Sequence, residues 1–215
     1  GINPPEVVKE RIPILLEGTT VKSLKIKLGS VDGIQADKSM FEQVVKSTKN
    51  YNVKIRVDAN GGWNIADAKH MMQWLADRGV DYVEQPLKEG EEFNLEELYE
   101  NRPVPIYLDE TCRFSENISS FAHCVDGVNM KLMKCGGITE ALKIIKTARK
   151  YKLKTMIGCM SESSVSIAAA AALSGGIDHI DLDSHYNLAP DPSTGAPMVD
   201  GVTLPPDIPG HGGEL

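Results

Sequence analysis

No GxGxxG or GxxxxGK[ST] run follows any strand-like segment of this 215-residue chain. That removes the best sequence signal for an open dinucleotide-binding sheet or a phosphate-cradling loop. None of the four cysteines, Cys112, Cys124, Cys135 and Cys159, belongs to a CxxC pair, so a thiolate zinc site is not indicated. Each reads as a small buried apolar residue, and together they read as reduced thiols of a cytoplasmic protein. Basic charge is short: the net charge is −7 and the pI about 5.3, which argues against a general nucleic-acid binder. No apolar run approaches the roughly 20 residues that a membrane span needs. The opening Gly1-Ile2-Asn3-Pro4-Pro5 has neither the basic nor the apolar region of a signal peptide. The chain does hold 41% hydrophobic and 25% charged residues. That suits one large α/β domain or two small ones.

Short β-branched runs alternate with longer amphipathic stretches. Strands are expected at 23–28, 53–59, 80–85, 105–110, 127–133, 154–160 and 177–183. Helices are expected at 38–48, 65–78, 95–100, 116–123, 139–151 and 163–173. Met40, Phe41, Val44 and Val45 make the apolar stripe of the first helix, and Met71, Met72, Trp74 and Leu75 that of the second. Strict β-α alternation means a parallel sheet. Beyond residue 183 the chain is rich in Pro and Gly and reads as a closing loop or short hairpin over 184–215.

The ends of these strands decide between an open sheet and a barrel. They carry Lys25 and Lys27, then Asp58, Glu84, Asp109 and Lys131, nothing ionisable at Cys159-Met160, then Asp181 and Asp183. From Lys27 to Lys131, successive members are 31, 26, 25 and 22 residues apart, about one β/α unit each. The i, i+2 spacing puts Lys25 with Lys27, and Asp181 with Asp183, on common faces. In a barrel all of them meet at the C-terminal face, where barrel enzymes keep their chemistry. Charges inside apolar runs are costly unless paired or bound to metal. Three carboxylates at adjacent strand ends, Asp58, Glu84 and Asp109, repel one another unless a cation sits between them. Oxygen ligands without His or Cys suit a hard ion, Mg²⁺ or Mn²⁺. A lysine beside that dication and a second ammonium has its pKa lowered, so Lys27, flanked by Lys25, can serve as a base.

The segments Lys25-Ile26-Lys27, Val57-Asp58-Ala59-Asn60, Val83-Glu84-Gln85-Pro86, Asp109-Glu110-Thr111 and 129–137 (NMKLMKCGG), in this order, resemble the muconate-lactonizing subgroup of the enolase superfamily. The resemblance runs across almost the whole chain. It implies a metal held by Asp58, Glu84 and Asp109, with a small-molecule carboxylate substrate on that metal. It implies that Lys27 and Lys131 face opposite sides of the substrate α-carbon, one removing the α-proton and the other returning it. Lys25 would help stabilise the enediolate. Ile180-Asp181-Leu182-Asp183 resembles the Asp-x-Asp motif of dipeptide epimerases of the L-Ala-D/L-Glu type, where the two carboxylates hold the substrate's α-ammonium. The bland reading of the pair is that one Asp caps a turn and the other is solvated. Asn60 reads as a turn-former more than as a substrate contact.

The resemblance also implies that an N-terminal capping domain and the first barrel strand are missing, with Gly1-Ile2 as that strand's remnant. The expected fold is therefore α/β: an incomplete TIM-like (β/α)7β barrel of parallel strands filling 1–215. The expected function is metal-dependent epimerisation of a dipeptide such as Ala-Glu. Within the same chemistry, N-acylamino acid racemase, o-succinylbenzoate synthase and muconate cycloisomerase stay open. From other classes, a Schiff-base enzyme using Lys131 and an inactive barrel fragment acting as a binding or assembly piece stay open. The histidines His70, His123, His179, His185 and His211 occupy none of the expected catalytic strand ends. No nucleic-acid or membrane partner is expected, and self-association is left open.

Overall fold

A computed structural model describes residues 1–205 and 207–215. The chain divides into two compact units, Gly1–Thr111 and Cys112–Leu215.

The first unit runs α1 (Pro5–Leu16), β1 (Ser23–Lys27), α2 (Ile34–Thr48), β2 (Lys54–Asp58), α3 (Ile65–Ala76), β3 (Val83–Glu84), α4 (Leu95–Glu100) and β4 (Ile106–Leu108). Each strand lies parallel beside its predecessor. The helices bury one stripe each. Ala68, Met71, Met72 and Leu75 on α3 follow the i, i+3, i+4, i+7 spacing. Asn64 caps that helix, its side chain accepting the Asp67 N–H at 2.9 Å. On α2 the stripe is Met40, Phe41 and Val44, whereas Val45, expected inward, is exposed.

Helix α1 was not legible as an element. Pro5 suits a first helical turn, where its missing N–H costs nothing. Pro13, however, sits inside the helix and blurs its pattern. Val8, Ile12 and Leu16 form its buried stripe, and it packs on α2. Gly1 and Ile2 are exposed and belong to no strand.

One close approach fixes the spacing of β1 and β2 beyond their last residues. A Cβ on Gly29 would lie 2.2 Å from the Ala59 carbonyl oxygen, and one on Gly62 would lie 2.4 Å from the Gly29 Cα. Gly29 also has φ +85°, so no other residue fits there without strain.

The second unit runs α5 (Ile118–Phe121), β5 (Gly127–Met130), α6 (Leu132–Cys135), α7 (Ile138–Lys150), β6 (Lys154–Ile157), α8 (Ser164–Ala172), β7 (His179–Ile180) and the antiparallel hairpin β8 (Met198–Val199) with β9 (Val202–Thr203). Strands β5, β6 and β7 are parallel neighbours. The hairpin expected in 184–215 is present. Both units repeat the β-then-α step, each strand laid beside the last. The fold class is the expected one: α/β, seven parallel strands in chain order, as in an incomplete TIM-like barrel. Among the described residues no helix is long and apolar enough to cross a membrane.

The strands are shorter than expected, because the apolar runs continue past the paired rungs. The segment at 127–133 stops pairing at Met130 and turns into α6, closed by Gly136 at φ +82°. The segment at 177–183 keeps two strand residues. The helix expected at 116–123 shrinks to α5 behind a 3₁₀ turn at Ser115–Asn117.

The chain's last third ties down α8. Asp191 accepts the Ser164 N–H at 2.9 Å and hydroxyl at 2.7 Å, and Ser193 Oγ accepts the Val165 N–H at 3.0 Å. These bonds satisfy N–H groups that a helix's first turn leaves without internal partners. The Ser164 hydroxyl bond, outweighing desolvation and helped by the N–H groups of Ser193 and Ser164, lowers the Asp191 carboxyl from 3.8 to about 2. A depressed folded-state value contributes stability above the ordinary pKa, and that contribution is lost as pH falls. Asp191→Asn is therefore expected to flatten part of the stability loss between about pH 4 and pH 2. Glu140, lowered to about 2 mainly by its Ser115 hydrogen bond, and Asp178, also lowered, keep their own shares. Urea unfolding of both proteins across that range checks this; identical acid limbs would refute it.

Candidate metal centre

Asp58 is the last residue of β2, Glu84 the last of β3, and Asp109 follows the last of β4. The register pairs Lys27 with Asp58, Asp58 with Glu84, and Glu84 with Tyr107. Paired residues point to one side of a sheet, and Asp109 lies two positions beyond Tyr107 on that same side. The three carboxylates are completely buried. Each offers one oxygen, and these oxygens lie within 4.8 Å of one another. All-oxygen donors at this spacing fit a hard divalent cation such as Mg²⁺.

Both lysines of β1 reach this cluster. Lys25 Nζ lies 3.2 Å from Glu84 Oε2, and Lys27 Nζ lies 3.4 Å from Asp58 Oδ2. Lys25 is nearly buried, while the Lys27 side chain is 44% exposed. One lysine is thus locked against the carboxylates and the other stays reachable from solvent.

Two residues hold the cluster in shape. Asn60, at φ +47°, donates its N–H to Asp58 Oδ1 at 2.9 Å and its side-chain amide to Oδ2 at 3.0 Å. The turn-forming role expected for Asn60 is present, and it also orients Asp58. Gln85 was not singled out from sequence. It is buried, at φ +40°, and its side chain accepts the Asp109 N–H at 2.9 Å. The signal that could have drawn notice to it is its place after Glu84 in the Val83-Glu84-Gln85-Pro86 segment.

In the second unit Lys131 follows β5 and is 4% exposed. Its carbonyl accepts the N–H groups of Lys134 and Cys135, so the chain turns at once into α6 and leaves Lys131 at a true strand end. Its Nζ lies 3.8 Å from Met160 Sδ. Asp181 continues the ladder by one rung, its N–H donating to the Ile157 carbonyl at 3.0 Å. Asp183 lies past the strand, where its carbonyl accepts the Tyr186 N–H of a 3₁₀ turn at Ser184–Asn187. Both aspartates lie beyond the last residue of β7, Ile180. Burial pushes the Cys159 thiol up, away from thiolate formation, in keeping with a packing role.

A family model described as enolase C-terminal domain-like matches residues 9–215. The chain belongs to the enolase C-terminal domain-like family. This family member is 77% identical over 215 residues to the hydrophobic dipeptide epimerase of Flavobacteria bacterium, covering 100% of the chain and 62% of that relative. It is 59% identical to the protein of the same name from Roseobacter litoralis, again over 100% of the chain and 62% of the relative. Among solved structures it resembles the Enterococcus faecalis dipeptide epimerase complexed with Mg and L-Leu-L-Tyr. That match has a TM-score of 0.91 and 32% identity, covering 100% of this chain and 62% of the other. The enolase-type chain thus spans 62% of the length of these relatives.

Proposed function

We propose that residues 1–215 are the catalytic barrel part of a metal-dependent dipeptide epimerase. The observation that carries this reading is the buried trio Asp58, Glu84 and Asp109, with Lys25 and Lys27 against it. Asp58, Glu84 and Asp109 would hold Mg²⁺, or Mn²⁺ in its place, and its double charge favours the negative charge that grows on a substrate carboxylate as an α-proton leaves.

The remaining work falls to the chain's own side chains. Lys25, fixed on Glu84, adds positive charge on the carboxylate side. In its neutral form, Lys27 or Lys131 takes the α-proton onto Nζ while the C–H electron pair moves into the carboxylate. The other lysine, protonated, returns a proton to the opposite face, and the centre inverts. Lys27 is the more exposed and exchanges protons with solvent readily; Lys131 is shielded. Asp181 and Asp183 hold the α-ammonium of the first residue.

The substrate is a dipeptide with hydrophobic side chains. The relatives' names support this reading over the Ala-Glu substrate expected from the Asp-x-Asp motif alone. The test is deuterium entry at the α-carbon in D₂O with Mg²⁺, comparing Leu-Tyr with Ala-Glu by NMR. It is run on the chain alone and on the chain preceded by a relative's capping domain. Faster exchange with Leu-Tyr, reduced in Asp183→Asn, is expected. Absence of exchange with every dipeptide in both proteins would remove the proposal.

A further inference from the structure

We propose that Gln85 is a positioning residue for the metal centre, joining the three strand ends that carry Asp58, Glu84 and Asp109. The inference rests on reading those carboxylates as the metal ligands. Among the described residues, the non-glycine positions with positive φ are Asn60, Gln85, Lys152 and Asp200. A glutamine at φ +40° is unusual, because its Cβ crowds the backbone and its longer side chain lacks the local bonds that let Asn sit there. Something must hold it in place.

The hydrogen bonds show what the conformation achieves. The Gln85 N–H donates to the Tyr107 carbonyl at 2.8 Å, the last backbone rung between β3 and β4. The left-handed turn then sends its carbonyl the other way, toward β2, where it accepts the Gly61 N–H at 2.8 Å. The side chain takes over on the β4 side. Its Oε1 accepts the Asp109 N–H at 2.9 Å and the Thr111 N–H at 3.5 Å. Its Nε2 donates to the Leu87 carbonyl at 2.9 Å and to Thr111 Oγ1 at 2.8 Å. A carboxamide has two donors and two acceptor sites, and all four are used. The Thr111 hydroxyl in turn donates to Glu92 Oε1 at 3.0 Å.

One residue therefore touches the turn after Asp58 with its carbonyl, adjoins Glu84 in sequence, and fixes the backbone of Asp109 with its side chain. The pairing of β3 is only two residues long, so backbone rungs alone end before Asp109. The carboxamide of Gln85 supplies the acceptor that a further rung would have supplied. Its consequence is a fixed distance between ligand-bearing strand ends, and hence a preformed cation site.

Gln85→Gly isolates this role. Glycine accepts the left-handed conformation and keeps both backbone bonds, so only the carboxamide is lost. Titration of the chain with Mg²⁺ by calorimetry, beside thermal unfolding in metal-free buffer, reads the two effects separately. Mg²⁺ affinity is expected to fall by roughly 10–100-fold, as when a partner orienting a metal ligand is removed. Thr111→Val, which keeps the side-chain shape, is expected to weaken binding in the same direction by less. The double variant is expected to match Gln85→Gly, because the hydroxyl acts through the carboxamide. A role in folding alone would lower the unfolding midpoint and leave the affinity of the folded chain unchanged. Wild-type affinity in both variants would overturn the proposal, and Thr111→Val decides it if Gln85→Gly shows no cooperative unfolding. If the wild type and Asp109→Asn give the same Mg²⁺ titration, it is the metal reading that has failed, not the role of Gln85.

Discussion

Lys131→Met is expected to slow dipeptide epimerisation by roughly 10²–10⁴-fold, the range for removing a positioned acid-base group. Mg²⁺ affinity is expected to stay unchanged. Methionine matches the lysine in length and is itself an adaptable apolar side chain for the buried surroundings beside Met160. The informative readout is stereochemical. With Lys131 gone, Lys27 still removes the α-proton of the one epimer that presents it to that side. It then returns deuterium from D₂O to the same face. One epimer exchanges without inverting, and the other is inert. Lys27→Met is expected to give the complementary pattern. NMR of each pure epimer in D₂O reads both. Inversion at the wild-type rate in Lys131→Met would end the two-base reading.

Asp109→Asn is expected to stabilise the metal-free chain while abolishing its response to Mg²⁺. The two signs together separate a metal site from a structural ion network. The trio gathers three carboxylates, with Lys25 against Glu84 and Lys27 against Asp58. Two unit charges 4.8 Å apart repel by about 3 kcal/mol at an effective dielectric constant near 20. Asparagine keeps the shape and removes that repulsion, giving a gain of about 1–3 kcal/mol. At roughly 2–4 °C per kcal/mol for a chain of this size, the midpoint rises by several degrees. In the wild type, Mg²⁺ at 100 times its Kd adds about 2.7 kcal/mol by mass action; the variant is expected to show none of this. Scanning calorimetry with EDTA and with excess Mg²⁺ gives all four midpoints. A fall on substitution in EDTA, or a retained Mg²⁺ shift, would contradict the metal assignment.

The sequence was most legible where a buried parallel strand ends on a charge. Val57-Asp58 and Val83-Glu84 announce themselves because a carboxylate buried at the end of an apolar run needs a cation beside it. Strand lengths were overread for a related reason: the apolar residues Leu132 and Met133 belong to α6, not to pairing. Helix α1 was hidden by Pro13, and the 3₁₀ turn after Asp183 by a spacing that does not show it. Gln85 was read only within the Val83-Glu84-Gln85-Pro86 segment and given no role, because its part depends on a backbone angle and on partners 24 and 26 residues away. Local pattern carries periodicity, not the path of a single side chain between loops.

The contact of Gly29 with Gly62 has a consequence for how such a site can change over generations. The spacing of the chain ends just beyond Lys27 and Asp58 is gauged by two backbones touching where no carbon side atom exists. Variation in the loops beyond can recast which molecule is admitted without disturbing that gauge. A single methyl group at either glycine would push these two backbones apart, so novelty has to enter around this pair and not through it.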